Sequence, residues 1–252
     1  MTDFLKAITE RILVLDGAMG SLLQERGLSP GGCSEEMNRS APDAVIGIHA
    51  EYAEAGADIL IANSFGGNRV KLANYDLDNA VDELNRRAVA LARKAAPAGV
   101  FVGGSVGPTG RFVEPVGDAG FDEMIDIFAE QISSLVGAGA DLISFETFLD
   151  IRELRAGVIA CRDICDLPII AQMTFEDAGR TVLGTPPTAA AVTLDALGVD
   201  VIGANCGLGI DGIHDVLAEM RQVTPRPLIA QANAGVPTLR NGQTIFPATP
   251  GR

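Results

Sequence analysis

The sequence predicts an α/β chain built as a (β/α)8 TIM-type barrel, and three observations predict it. Short apolar runs alternate with helical patterns from one end to the other, as they do in a parallel sheet covered by helices. The polar residues able to bind or react stand where those runs end, at Asp16, Asn63, Ser105, Glu146, Thr174, Asn205-Cys206 and Asn233. A barrel brings the C-terminal ends of its strands to one mouth. The first run leads into Asp16-Gly17-Ala18-Met19-Gly20, without the G-x-G-x-x-G spacing of a doubly wound dinucleotide fold.

The elements follow in order. Residues 12–15, Ile-Leu-Val-Leu, form the first strand and stop at Asp16. Residues 42–56 place Val45, Ile48, Tyr52 and Ala55 three or four apart on one helix face and end on Gly56, a helix stop signal. The second strand is 58–62, followed by a helix over 78–96. The third is 100–103, with a helix over 121–137. The fourth, 141–145, leads to Glu146 and a helix over 151–165. The fifth is 168–172, with a helix over 188–197. The sixth, 199–204, runs into Asn205-Cys206 and a helix over 210–220. The seventh is 227–231. Each run is four to six residues and several are apolar throughout, the pattern of strands buried on both faces. Beyond Asn233 only the short run 243–246 precedes Arg252. The count is therefore seven strands, with the last helix and the eighth strand expected to be lacking. No composition break marks a linker, so residues 1–252 are expected to form one C-terminally incomplete domain.

A chain of 252 residues that is 47% hydrophobic can bury one sizeable core. Its 19 basic and 33 acidic residues leave a net charge of −14. That charge repels phosphate backbones and anionic lipid, so neither nucleic acid nor membrane is expected as a partner. No apolar run approaches the roughly 18 residues of a membrane span, and the N-terminus has no signal-peptide pattern. Four cysteines in a chain this long are no disulfide framework, which suggests a reducing, cytoplasmic setting.

The strand ends hold the candidate chemistry. Asp16 and Glu146 are carboxylates that a barrel would bring to one mouth, where they could hold an ammonium group or move protons. Asp16-Gly17 alone also reads as an ordinary turn. Glu146 stands between two phenylalanines, where a carboxylate is costly unless paired or used. Cys206, beside Asn205 and among Gly203, Gly207 and Gly209, could be a nucleophile or a soft metal ligand. On its own it reads first as a small buried hydrophobe. Cys161 and Cys165, four apart on a helix, read as packing; Cys33 has no companion ligand in sequence. His49 and His214 lie on helices away from the strand ends and read as structural. The Gly-rich segment 103–110 could cradle an anion or simply form a tight loop. There is no P-loop, H-E-x-x-H, G-x-S-x-G or C-x-x-C pattern, and no strand-end lysine for Schiff-base chemistry.

Taken together, ILVLDGAMGSLLQERG, HAEYAEAGADILIANSFGGNRVKL, GGSVGPTG, ISFETFLDIRELRAGVIACRD, MTFEDAGRTVLGT, GANCGLG and QANAGVP stand in the order of the homocysteine S-methyltransferase family. From Arg11 to about Pro247 the chain resembles that family, and within it the homocysteine-binding module of the cobalamin-dependent methionine synthases. It is less like the betaine-dependent members, since it contains no Trp. The resemblance implies a (β/α)8 barrel that makes a homocysteine thiolate attack a methyl donor, giving methionine. It implies one Zn(2+) held by three cysteine thiolates, with the substrate sulfur as fourth ligand. Cys206 matches the first thiolate, in the segment Gly203-Ala204-Asn205-Cys206, and is the implied catalytic and metal residue. Asp16 and Glu146 match the residues that hold the substrate ammonium. The backbone from Gly17 through Ala18 and Met19 to Gly20 is the implied carboxylate seat. Asn63, Asn205 and Asn233 match the asparagines lining the pocket. Methylcobalamin, carried by a corrinoid module or protein, is the implied donor.

One departure matters. The family's other two thiolates come from a Gly-Gly-Cys-Cys-Gly turn at the eighth strand, and this chain has no such segment. The expectation is therefore a fragment of a longer methyltransferase whose sequence beyond Arg252 supplies both cysteines. The alternative is a metal-free, non-catalytic barrel fragment that binds an amino acid or a partner chain.

Overall fold

The computed structural model describes residues 3–176, 178–235, 238–240 and 243–245. Six parallel strands form one sheet in simple sequential order: β1 (Ile59–Ile61), β2 (Phe101–Val106), β3 (Leu142–Phe148), β4 (Ile169–Met173), β5 (Val201–Asn205) and β6 (Leu228–Gln231). The helices are α1 (Asp3–Glu10), α2 (Gly20–Glu25), α3 (Met37–Ser40), α4 (Pro42–Glu54), α5 (Arg69–Ala73), α6 (Val81–Ala95), α7 (Phe121–Gly137), α8 (Ile151–Ile164), α9 (Pro187–Ala196) and α10 (Ile210–Arg221). A separate antiparallel pair, β7 (Thr238–Arg240) and β8 (Gln243–Ile245), follows β6. It takes up the short run at 243–246 but does not join the parallel sheet.

The sheet is strongly curled. Ile59, Phe101, Leu142, Ile170, Val201 and Ile229, one from each of β1 to β6, share an inner cluster with Leu13 and Leu15. Both edges of the sheet line a single apolar cavity of about 560 Å3, Leu13, Leu15 and Ile59 on one side and Leu228, Ile229 and Ala230 on the other. In a flat sheet with strands about 4.8 Å apart those edges would lie roughly 24 Å from each other. Helix α1, which the sequence pattern does not announce, closes the floor: Phe4, Leu5 and Ile8 pack on the inner cluster, and the Phe4 and Phe101 rings meet edge to face at 5.5 Å. The larger core lies outside the strands, where Ile143, Phe145, Phe148 and Ile202 meet the apolar faces of α6 to α10.

The first expected strand is reduced. Residues 12–15 make one parallel bridge, Leu15 to Ile59. They still run along β1, since the Asp58 N–H donates to the Val14 carbonyl at 2.8 Å and the Asp16 N–H to Ile59 at 3.0 Å. Among the described residues nothing pairs with their other side, and Ile12 and Val14 are 90% and 56% exposed. The segment thus runs beside β1 as an edge with a single bridge.

Helix α4 ends as the sequence suggests, with Gly56 at φ +99°, a left-handed stop that a residue with a Cβ rarely adopts. Helix α6 carries Asp82 and Glu83 in its first turn and Arg93 and Lys94 in its last, matching the helix dipole at both ends.

A repeat organises the floor. Gly56-Ala57-Asp58, Gly139-Ala140-Asp141 and Gly198-Val199-Asp200 each lead into every second strand. Each aspartate carboxylate accepts the backbone N–H of the preceding strand segment: Val14 at 2.8 Å, Val102 at 2.7 Å and Ile169 at 2.9 Å. Each aspartate N–H donates back to the carbonyl of that same residue, at 2.8, 2.8 and 3.1 Å. An arginine closes each bracket, Arg11 on Asp58, Arg93 on Asp141 and Arg162 on Asp200. These six hydrogen bonds and three ion pairs fix the strand register at the N-terminal end of the sheet.

Candidate active site

The C-terminal ends of the strands surround a cavity of about 700 Å3. Asp16, Gly17, Ala18, Met19, Gly20, Asn63, Glu146, Asn205, Cys206 and Asn233 all line it. Glu35, Phe65, Ser105 and Gln231 line it too.

Asp16 is delivered by the segment beside β1 and is almost wholly buried. Its Oδ2 accepts the Ile61 N–H at 2.9 Å. Burial pushes its carboxyl up to about 8, against the Ile61 hydrogen bond, and the nearby Glu146 charge adds to the rise. Glu146 is raised as well, again by burial, although the Ser105 hydroxyl donates to its Oε1 and opposes the shift. Burial holds both carboxyls toward their neutral acid forms, and a cation placed between them would favour their ionisation. The Gly17–Gly20 turn is held from outside by α4, whose Tyr52 hydroxyl donates to the Ala18 carbonyl at 3.0 Å.

Glu146 owes its aim to an irregularity. The β3–β4 register shifts between Phe145 and Phe148, and Thr147 in the shift has φ 65°. Such a bulge turns side chains that a regular strand would place elsewhere. A clamp from β5 holds it: Asn205 Oδ1 accepts the Thr147 N–H at 2.9 Å, and Asn205 Nδ2 donates to Thr147 Oγ1 at 2.8 Å. Asn205 is thus a positioning residue for its neighbours. Cys206 follows at φ 56°, a second left-handed residue without a glycine's freedom. Its sulfur lies 3.5 Å from Asn205 Nδ2 and 3.8 Å from Thr147 Oγ1. Burial raises the Cys206 thiol, the Thr147 and Asn205 contacts pull it down, and the Glu146 charge pushes it up. Gly203 permits the approach of β6: a Cβ there would sit 2.0 Å from the Ile229 carbonyl oxygen.

Asn63 lines the cavity, but its amide nitrogen is already engaged by the Ser34 carbonyl at 2.7 Å and by Asn38 Oδ1 at 3.0 Å. It ties down the loop that brings Glu35 in, whose carboxylate accepts the Gly66 N–H at 2.6 Å. Asn233 lines the opposite wall, partly exposed. Thr174, another strand end, turns away from the cavity and donates to the Asn205 carbonyl at 3.0 Å. Glu35 and Thr147 carry no signal in the sequence, because a loop crossing and a bulge bring them in.

Cys161 and Cys165 lie away from the cavity, while Cys33 sits just behind its lining residues Ser34 and Glu35. Cys33 donates to Glu35 Oε2 at 3.4 Å, and the Cys161 and Cys165 sulfurs are 3.9 Å apart on α8 and its cap. Among the described residues no three His, Cys, Asp or Glu side chains come together to hold a metal. Residues 236–252 contain none of those four types. A tetrahedral thiolate zinc site needs more than the one thiol this cavity has, so the residues of this chain do not by themselves fit the metal. Among the described residues no helix is long and apolar enough to cross a membrane.

A family model described as homocysteine S-methyltransferase matches residues 13–252. Methionine synthases of Mycobacterium leprae (strain TN) and Mycobacterium tuberculosis (strain ATCC 25618 / H37Rv) are 32% and 33% identical over 268 residues, 99% of this chain. The chain spans 22% of the length of each of these curated relatives. Crystal structures of the homocysteine methyltransferase MmuM from Escherichia coli, in metallated and oxidized forms, are 26% identical. They match with TM-scores of 0.80 and 0.81, covering 89% and 91% of this chain and 85% of theirs.

Proposed function

The chain belongs to the homocysteine S-methyltransferase family, and from that premise we propose that its cavity binds homocysteine and presents the sulfur for methylation. The observation that carries this reading is the meeting of Asp16, Glu146 and Cys206 in one cavity. Homocysteine has an ammonium group, a carboxylate and a thiol. Asp16 and Glu146 receive the ammonium, which stabilises both as carboxylates and releases their protons to solvent. The carboxylate faces the Gly17–Gly20 backbone, which opens into α2 and its unpaired first-turn N–H groups. The thiol end then reaches toward Cys206, Asn205 and Thr147.

In the transfer itself the substrate sulfur loses its proton, forms a bond to the methyl carbon in line, and the donor departs with the electron pair of the bond that breaks. The product is methionine. Within this proposal the donor is methylcobalamin carried by a corrinoid module or protein. Cys206 is the one side chain we assign to Zn(2+). A bound zinc would hold the substrate thiolate, and one thiol does not make such a site. The cytoplasm, where thiols stay reduced, is the proposed setting, and four free cysteines accord with it.

The single thiol in the cavity favours a second reading, in which this chain holds homocysteine without transferring a methyl group on its own. Calorimetry tests what both share. L-Homocysteine should bind, and Glu146→Gln should weaken it at least about tenfold, as expected for removing a charge from a buried ion pair. Unchanged affinity in that variant would remove the ammonium site from the proposal.

A further inference from the structure

His49 reads from the sequence as a structural helix residue, and the structure buries it beside Asp16. It sits in the middle of α4, 0% exposed, and among the described residues neither ring nitrogen has a hydrogen-bond partner. Buried polar groups are nearly always paired, and an apolar ring of the same size would fill the space without stranding two nitrogens. The neighbour that accounts for it is Asp16, whose Oδ2 lies 3.9 Å from His49 Nδ1. That distance is too long for a hydrogen bond and is closed by a movement of about 1 Å.

We propose that His49 is the positioning residue for Asp16: its Nδ1–H donates to the Asp16 carboxylate whenever that group ionises, and so prepares it for a substrate ammonium. The inference rests on the reading of the cavity as an amino-acid site and names a residue that this reading does not contain. Burial holds the imidazole neutral, with its protonation pushed down to about 4. A neutral ring donates a hydrogen bond without adding a positive charge that would compete with the ammonium. The other groups facing Asp16 cannot take this role. Glu146 of β3 repels it, Tyr52 of α4 gives its proton to the Ala18 carbonyl, and the Ile61 N–H of β1 is already bonded to Oδ2. On α4 itself Glu51 is paired with Arg26 on the outer face. His49 is therefore the donor still uncommitted beside Asp16, and it approaches from behind, leaving the cavity side free for ligand.

The test follows the Asp16 carboxyl carbon by NMR in the whole chain, comparing the native protein with His49→Phe and His49→Gln. Losing a hydrogen bond to a charged group should raise the ligand-free Asp16 titration by about one pH unit in His49→Phe, and glutamine, which keeps a donor, should restore part of it. L-Homocysteine binding should fall about tenfold in His49→Phe. Binding of 4-mercaptobutyrate, which lacks the ammonium, should not change. An unmoved Asp16 titration overturns the proposal. So does an equal loss for both ligands, which is the result of a packing role alone. If the native chain binds neither ligand while His49→Phe still raises Asp16, the reading of the cavity fails and the His49–Asp16 link stands.

Discussion

Binding of the amino acid should release protons, and the number can be worked from the cavity. In the empty site Asp16 titrates at about 8. At pH 7 it is then about 0.9 protonated. An ammonium group placed against it favours the carboxylate, so the proton must leave as the ligand arrives. Asp16 alone should therefore contribute about 0.9 of a proton per ligand at pH 7, with Glu146 adding to that because its carboxyl is raised as well. By the same linkage, affinity should climb about tenfold per pH unit below about 8 for one released proton, and more steeply if Glu146 takes part. The assay is calorimetry at pH 7 in phosphate and in Tris, whose ionisation enthalpies differ widely; the change in observed enthalpy between them counts the protons. L-Methionine is the cleaner ligand, because it carries the ammonium and carboxylate without a titrating thiol. Asp16→Asn should remove about 0.9 proton from the count. Heats independent of buffer, or proton uptake, would refute the placement of a cation between these carboxyls.

Three further outcomes follow from the packing. Gly203→Ala drives a Cβ to 2.0 Å from the Ile229 carbonyl oxygen and 2.5 Å from its Cγ2. Since backbone must yield, chemical denaturation should show a loss of about 3 kcal/mol, and an unchanged midpoint would contradict the close approach. Asn205→Ala removes both bonds to Thr147. It should destabilise by about 2 kcal/mol in chemical denaturation, and an unchanged midpoint would contradict the clamp. Glu153, buried under two bonds from Thr109, titrates at about 7 because burial outweighs those bonds. Its raised value means a contribution to stability present below about pH 4.5 and lost as pH rises through 7; Glu153→Gln should flatten thermal stability across pH 5 to 7, an effect of about 2 kcal/mol.

The sheet is legible in the sequence because strands buried on both faces must be apolar throughout. Residues 58–62, 141–145 and 199–204 each coincide with a strand to within a few positions. The site is legible for a related reason: a polar residue at the end of such a run has few explanations, and Asp16, Glu146 and Asn205-Cys206 all converge. What escapes is set by tertiary context. Residues 12–15 carry a strand's composition but lack a second neighbour. Thr147 enters through a bulge that no periodicity marks. His49 lies on a helical pattern whose other members, Val45 and Ile48, are core, and its relation to Asp16 spans 33 residues of sequence and exists only after folding. The Gly-x-Asp repeat, with Ala or Val at its centre, is visible in the letters, and its meaning comes from the hydrogen bonds it makes.

That repeat has a bearing on how the chain acquires its shape. The three aspartate brackets join residues 44, 39 and 31 positions apart. Because closure entropy grows only with the logarithm of loop length, these three closures carry nearly the same penalty. None requires the two ends of the chain to meet. Each bracket therefore ties a strand to its sequence neighbour within one local closure, and the sheet's register at its N-terminal end depends on no contact between distant parts of the chain.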